Sequence, residues 1–107
     1  MVVAAFVLAG CSAAADPAKA AICTKAIGVM VVSEAGDDAQ HRLQEARSAS
    51  AELEKLSSQT SDTTLASALR DAASTAGQGT SDWSPSRLAA WVRTEQTRFD
   101  AVRSACA

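Results

Sequence analysis

The stretch Glu34-Ala35-Gly36-Asp37-Asp38 decides how many helices this sequence predicts. Gly36 weakens a helix, and the two aspartates after it are suited to the first turn of a new one. If a helix ends here, the chain forms four helices of comparable length. If it continues through Gly36, residues 17–57 form one helix about 60 Å long and the count is three.

On either side of Gly36, apolar residues recur three and four positions apart, as on one face of a helix. We predict a first helix from Pro17 to about Glu34, with Asp16 as its cap and proline in its first turn. Its inward positions are predicted to be Ile22, Cys23, Ala26, Ile27, Met30 and Val31. The second helix continues to Ser57 or Ser58, with Leu43, Ala46, Ser50, Leu53 and Leu56 inward.

Two more helices follow, and strand-forming residues are few, so the pattern predicts an all-α fold. Ser61-Asp62 caps a third helix that reaches about Ala76, and residues 77–82 form a loop. Ser84 caps the last helix, and Trp83 is placed to pack against Leu88 as a hydrophobic staple. The inward positions of the third helix are predicted to be Leu65, Leu69, Ala72, Ala73 and Ala76. Those of the fourth are predicted to be Leu88, Trp91, Val92, Phe99, Val102 and Cys106.

The apolar N-terminal run ends in Leu8-Ala9-Gly10-Cys11, which resembles the lipobox of bacterial lipoprotein signal peptides. The alanine-rich chain is also similar to small actinobacterial lipoproteins. The resemblance implies a signal peptide over residues 1–10, a lipidated tether over 11–16 that begins at Cys11, and a helical domain over 17–107. It places that domain on the extracytoplasmic face of a bacterial cell membrane.

The start of this segment departs from the usual signal peptide. Residues 1–8 contain no Lys or Arg, whereas a secretory signal normally begins with a positively charged segment. We therefore expect the natural reading frame to begin upstream of Met1. The alternative is that Val2 to Leu8 is an apolar strand or helix start in a soluble protein.

The lipoprotein resemblance also accounts for the odd number of cysteines. With Cys11 lipidated, Cys23 and Cys106 remain as a disulfide pair in a compartment where disulfides persist. Their Cα atoms must then lie within about 7 Å, which four antiparallel helices allow and three do not. We therefore predict a small antiparallel four-helix bundle tied by one disulfide. The alternative is a cytosolic protein with two unpaired buried thiols.

The chemistry-bearing residues are sparse. His41 lies one turn from Asp37 and one turn from Glu45, an arrangement that suits a base or a weak metal site, but a solvated helix face is favoured. No cofactor or metal motif is present. The net charge of -2 and the absence of a Lys/Arg cluster argue against nucleic acid as a partner. The arginines of the last helix, interspersed with Glu95 and Asp100, predict a mixed solvated surface.

Trp83 and Trp91 are the candidate interaction surface, beside the loop after Ala76, with core packing as the favoured alternative. We expect that loop to lie at the lipid end of the bundle, so that a partner recognised through Trp83 is a membrane-proximal envelope protein. The leading function is a non-catalytic binding module of the cell envelope. The alternatives are an enzyme or enzyme accessory that uses His41, and a structural spacer without a ligand.

Overall fold

A computed structural model describes residues 16–36 and 38–107. Within these ranges the chain forms four α-helices joined by turns, and no β-strand. The helices are α1 (Pro17–Glu34), α2 (Ala39–Ser57), α3 (Thr63–Ala76) and α4 (Pro85–Cys106). The predicted all-α class and the break near Gly36 are confirmed. The predicted signal peptide over residues 1–10, the lipidation at Cys11 and the tether before Asp16 lie outside the described residues.

Each helix begins with a side-chain cap. The carboxylate of Asp16 accepts a hydrogen bond from the amide of Lys19 at 3.1 Å, which satisfies one of the free amides of the first turn. The other three helices have the same cap. In α2 the amide of His41 donates to Asp38 at 2.8 Å, and in α3 the amide of Leu65 donates to Asp62 at 2.9 Å. In α4 the amide of Arg87 donates to the hydroxyl of Ser84 at 3.2 Å. The helix starts are therefore local properties of the sequence.

Gly36 is required at the turn between α1 and α2 for a steric reason. A Cβ atom at this position would lie 2.6 Å from Cγ of Arg42 and 3.1 Å from its backbone nitrogen. Arg42 also donates from Nη1 to the carbonyl of Glu34 at 2.9 Å, which satisfies a free carbonyl at the end of α1. The first turn of α2 thus packs directly on the hairpin turn, and only glycine leaves room for it.

The helices contact one another in chain order, and α4 returns to contact α1. The Cys23–Cys106 disulfide joins the first half of α1 to the last residue of α4, with the two Cα atoms 5.9 Å apart. The predicted pairing and the disulfide-tied bundle are confirmed. The ion pair of Lys19 with Asp62 at 2.9 Å places the α2–α3 connection at this same end.

The loop between α3 and α4 lies at the opposite end of the bundle. It leads into the start of α4, whereas the disulfide lies at the finish of that helix, 22 residues or about 33 Å away. Trp91 accordingly packs with Leu43 from the beginning of α2. The expectation that the loop after Ala76 shares an end with Cys23 was therefore wrong, because in an up-down-up-down chain only the second connection returns there.

The core contains most of the predicted inward positions. Its fully buried larger side chains include Met30, Leu53, Leu56, Leu65, Leu69, Phe99 and Val102. Ile27 and Val31 were predicted inward but are 37% and 52% exposed. Because α1 is apolar on more than one face, residue spacing alone does not show which face is buried; Ser33 is buried instead. Ser50, Leu88, Val92 and Cys106 are half-buried.

We predict that removal of the disulfide, as Cys23→Ala with Cys106→Ala, lowers the free energy of unfolding by about 2 to 5 kcal/mol. The bond closes a long loop, with a sequence separation of 83 residues, so it strongly restricts the unfolded chain. Urea denaturation with and without reductant measures the effect. Cys11→Ser is the control and should retain the sensitivity to reductant. Unfolding midpoints that do not respond to reductant would contradict the role of the bond.

We predict that Gly36→Ala lowers the free energy of unfolding by about 1 to 3 kcal/mol, because the new methyl group overlaps Arg42. Gly28→Ala is the matched control. A Cβ atom at Gly28 meets nothing within 4 Å, and alanine favours the helix, so this change should raise stability by about 0.5 to 1 kcal/mol. Equal shifts of the same sign at the two glycines, measured by urea denaturation, would show that the turn tolerates a side chain.

Candidate functional site

The two tryptophans meet edge to face, with ring centroids 6.5 Å apart and an interplanar angle of 75°. Trp91 is only 5% exposed, and its Nε1 donates to the carbonyl of Thr75 at 2.7 Å. Trp83 is half-buried, and the guanidinium of Arg87 lies 4.2 Å from its ring centroid. Trp91 is therefore a core residue, whereas Trp83 presents an aromatic surface together with Arg87.

A groove of about 190 Å³ lies beside this pair. It is lined by Thr75, Gln78, Trp83, Arg87, Ala90, Trp91 and Thr94. The loop is held tightly against it, because a Cβ atom on Gly79 would lie 2.6 Å from Leu43 and 3.0 Å from the Trp91 ring. The surface combines an aromatic face, a cation and neutral hydrogen-bonding groups. Such a set suits recognition of a side chain or peptide; its lining offers no acid–base pair for catalysis.

Glu95 is a buried ionisable group that was not expected from the sequence. It was expected on a solvated surface, but it is 1% exposed, and its Oε1 accepts a weak bond from Nη2 of Arg42 at 3.4 Å. Its Oε2, Nε of Arg42 and Oγ of Ser33 have no partner in the described structure. Burial raises the pKa of Glu95 to about 7, against the opposing effect of Arg42. The spacing of four residues from Trp91 and from Phe99 is the one sequence signal of its inward position.

The structure describes only part of the arrangement that the sequence suggested for His41. It is exposed near the start of α2, and Asp37, one of its two proposed neighbours, lies outside the described residues. The other, Glu45, lines a groove between α1 and α2. Among the described side chains, no group of three His, Cys, Asp or Glu residues is placed to hold a metal ion. The use of His41 in an enzyme therefore stays the alternative function, which nothing in the described structure tests.

The α1–α2 groove is the larger and more apolar of the two surfaces, with a volume of about 410 Å³. It is lined by Thr24, Lys25, Gly28, Val29 and Val32 from α1 and by Glu45, Ser48, Ala49 and Glu52 from α2. This groove was not predicted from the sequence. With Ile27 and Val31 assigned to the core, no exposed apolar face was expected on α1.

Residues 17–107 match a protein family described as a domain of unknown function (DUF8711). The chain belongs to the DUF8711 family. The matched range includes all four helices and both cysteines of the disulfide, so the DUF8711 domain is the bundle itself. The chain has no match among curated proteins or among solved structures. None of the four helices of this DUF8711 domain has the length and apolarity needed to cross a bilayer.

We predict that the DUF8711 domain loses stability as the pH rises through neutrality. Glu95 has a native pKa of about 7 against an ordinary value of 4.5, so the folded state holds its proton more tightly than the unfolded chain. Its contribution is complete below about 4.5 and is lost as the pH rises through about 7, a change of up to about 3 kcal/mol. Urea denaturation across pH 4.5 to 8 measures this decline.

Glu95→Gln should flatten the decline, because glutamine carries no titrating proton and still accepts a bond from Arg42. Glu54→Gln, at an exposed position of α2, is the control and should leave the profile unchanged. The helix cap Asp62 does not interfere, because the Leu65 amide and Lys19 lower its pKa and so move its effect below this window. A profile with the same slope in Glu95→Gln as in the parent chain would contradict the assignment to Glu95.

Proposed function

We propose that this DUF8711 protein is a membrane-anchored extracytoplasmic lipoprotein whose helical domain is a non-catalytic binding module of the bacterial cell envelope. The lipobox-like stretch that ends in Cys11 supports the anchor. The disulfide between Cys23 and Cys106 supports the compartment, because such bonds persist mainly outside the cytoplasm. The two features are independent of each other and favour the same location.

The anchor determines which part of the domain faces away from the membrane. Five residues, 12–16, separate the lipidated Cys11 from α1, a distance of less than about 20 Å even when extended. The disulfide end therefore lies near the bilayer, and the start of α4 lies about 33 Å farther out. The observation that carries the proposal is that Trp83 and Arg87 form an accessible surface at this distal end. We therefore propose a partner that contacts the domain at the end away from the membrane, in place of the membrane-proximal partner expected from the sequence.

The chemistry of the distal surface defines the partner that it fits. Arg87 is exposed and offers guanidinium donors to a carboxylate, while the Trp83 ring offers an apolar contact. Gln78 and Thr94 at the rim of the groove add hydrogen-bonding groups. An acidic segment of an envelope protein, with an apolar side chain beside its carboxylate, matches this arrangement. Tryptophan and arginine are also the residue types that most often dominate binding energy at interfaces.

The test uses the full chain in its native membrane. Mass spectrometry of the mature protein should show a lipid on Cys11, and Cys11→Ser should release the protein from the membrane fraction. Crosslinking in cells should recover a partner from the parent chain. Trp83→Ala and the surface variant Arg87→Glu should each reduce its recovery about tenfold or more, since they remove a central aromatic or reverse a contacting charge.

His41→Ala is the matched control, because His41 is exposed near the same end of the bundle without lining the Trp83 groove. Its crosslinked partner should be recovered unchanged. Loss of an enzymatic activity in His41→Ala with the fold intact would favour the enzyme alternative instead. Equal recovery in all variants would favour the structural spacer, and an unmodified Cys11 would overturn the anchor.

A further inference from the structure

Helix α1 carries an apolar surface that its own bundle does not cover. The large hydrophobic side chains that are exposed in the described structure are Ile27, Val31 and Val32, and all three belong to this helix. Val31 and Val32 are 52% and 57% exposed, and Val32 lines the α1–α2 groove. Adjacent apolar side chains beside an apolar groove are typical of a surface that another protein covers.

Gly28 is exposed on α1 and lines the α1–α2 groove. A Cβ atom built on it meets nothing within 4 Å, so its own fold has room for a side chain. Glycine in the interior of a helix nevertheless weakens that helix. A glycine that lines a groove on an exposed face lets another helix approach the backbone closely. Its position therefore suits a surface on which another helix packs.

The two sides of the groove carry opposite charges. Lys25 lies on the α1 side, and Glu52 lies on the α2 side of the same groove. Because the two helices form an antiparallel hairpin, these two residues are at one level, nearer the disulfide end, while Val32 and Glu45 are at the other. Lys25 and Glu52 are both exposed, and neither forms an ion pair with another residue of the described ranges.

We propose that a second copy of this chain covers the α1–α2 groove. In this dimer a two-fold axis runs parallel to the helices, so α1 of each copy packs antiparallel beside α2 of the other. The Lys25 ammonium of one copy then lies opposite the Glu52 carboxylate of the other, and the two-fold axis repeats the pair. Val31 and Val32 of each copy are buried at the interface, where Gly28 permits close approach of the helices.

Self-association is favoured because one face supplies both halves of the interface. This face contains the exposed Val31 and Val32 beside the groove, and it also contains Lys25 and Glu52 at the same level. A two-fold interface requires such a face, because the same patch of each copy contacts the other. With the axis parallel to the helices, both N-termini also point the same way. The dimer goes beyond the proposed anchor and is compatible with it, and confinement of two copies to one membrane would raise their effective concentration.

The test is zero-length carbodiimide crosslinking of the full chain in its native membrane and in detergent solution. We expect a dimer whose crosslinked peptides join Lys25 to Glu52. A mixture of ¹⁴N- and ¹⁵N-labelled copies distinguishes this bond from one within a chain. Lys25→Glu and Glu52→Lys should each lower the dimer fraction at least roughly tenfold, because each places like charges at two symmetric contacts. The combined swap should restore it, and Glu54→Lys, exposed on α2 outside the groove, should leave it unchanged.

Gly28→Leu is the second variant, and it tests close approach of the helices. It should abolish the dimer while the bundle keeps its helix content and its disulfide, because the position is open in the single chain. Cys11→Ser should still dimerise in detergent solution, so a failure of the anchor is distinguishable from a failure of the interface. A chain that stays monomeric at all concentrations, or a dimer unaffected by Lys25→Glu and Gly28→Leu, would overturn the proposal.

Discussion

The Cys23–Cys106 disulfide is the constraint on which the arrangement of the helices depends. It fixes the finish of α4 beside α1, which an up-down chain satisfies only with an even number of helices. It also holds α1, whose contact with α4 is less extensive than the packing of α3 with its two neighbours. The ion pair between Glu34 and Arg103, at 2.7 Å, adds a polar link between α1 and α4. With these links in place, α1 can leave part of its apolar surface exposed without separating from the bundle.

The parts of this fold that could be predicted from sequence are those governed by neighbours in the chain. The caps at Asp16 and Ser84 and the break at Gly36 each depend on a few adjacent residues, and the structure has them where the pattern indicates. The buried face of α1 could be predicted only in part. Ile22, Cys23, Ala26 and Met30 are buried as predicted, but Ile27 and Val31 are exposed, because α1 is apolar on more than one face and tertiary packing selects among them. Glu95 was missed for a related reason, since a carboxylate normally remains in water and only Arg42, distant in sequence, makes its burial tolerable.

The candidate site, like the fold, could be predicted from the sequence only in part. Sequence reasoning identified Trp83 and Trp91 as a pair, and they do contact each other, but it could not show that one fills the core while the other remains accessible. That difference depends on the carbonyl of Thr75, which accepts a hydrogen bond from the buried Trp91 indole, and on Arg87, which lies over the half-buried Trp83 ring. The Trp83 groove lies at one end of the bundle, whereas the α1–α2 groove lies along its side, so the two proposed contacts do not overlap.

The path of the covalent chain gives the disulfide a mechanical consequence. In the proposed anchoring, a pull between the membrane and a partner at Trp83 enters the domain just before Cys23. From there the backbone reaches Trp83 through α1, α2 and α3 in series, whereas the disulfide leads through α4 alone. The shorter route would carry the tension along the axis of one helix, and the core helices α2 and α3 would be spared. Reduction of the Cys23–Cys106 bond would remove this route, and the same pull would then act on α1, α2 and α3 in series.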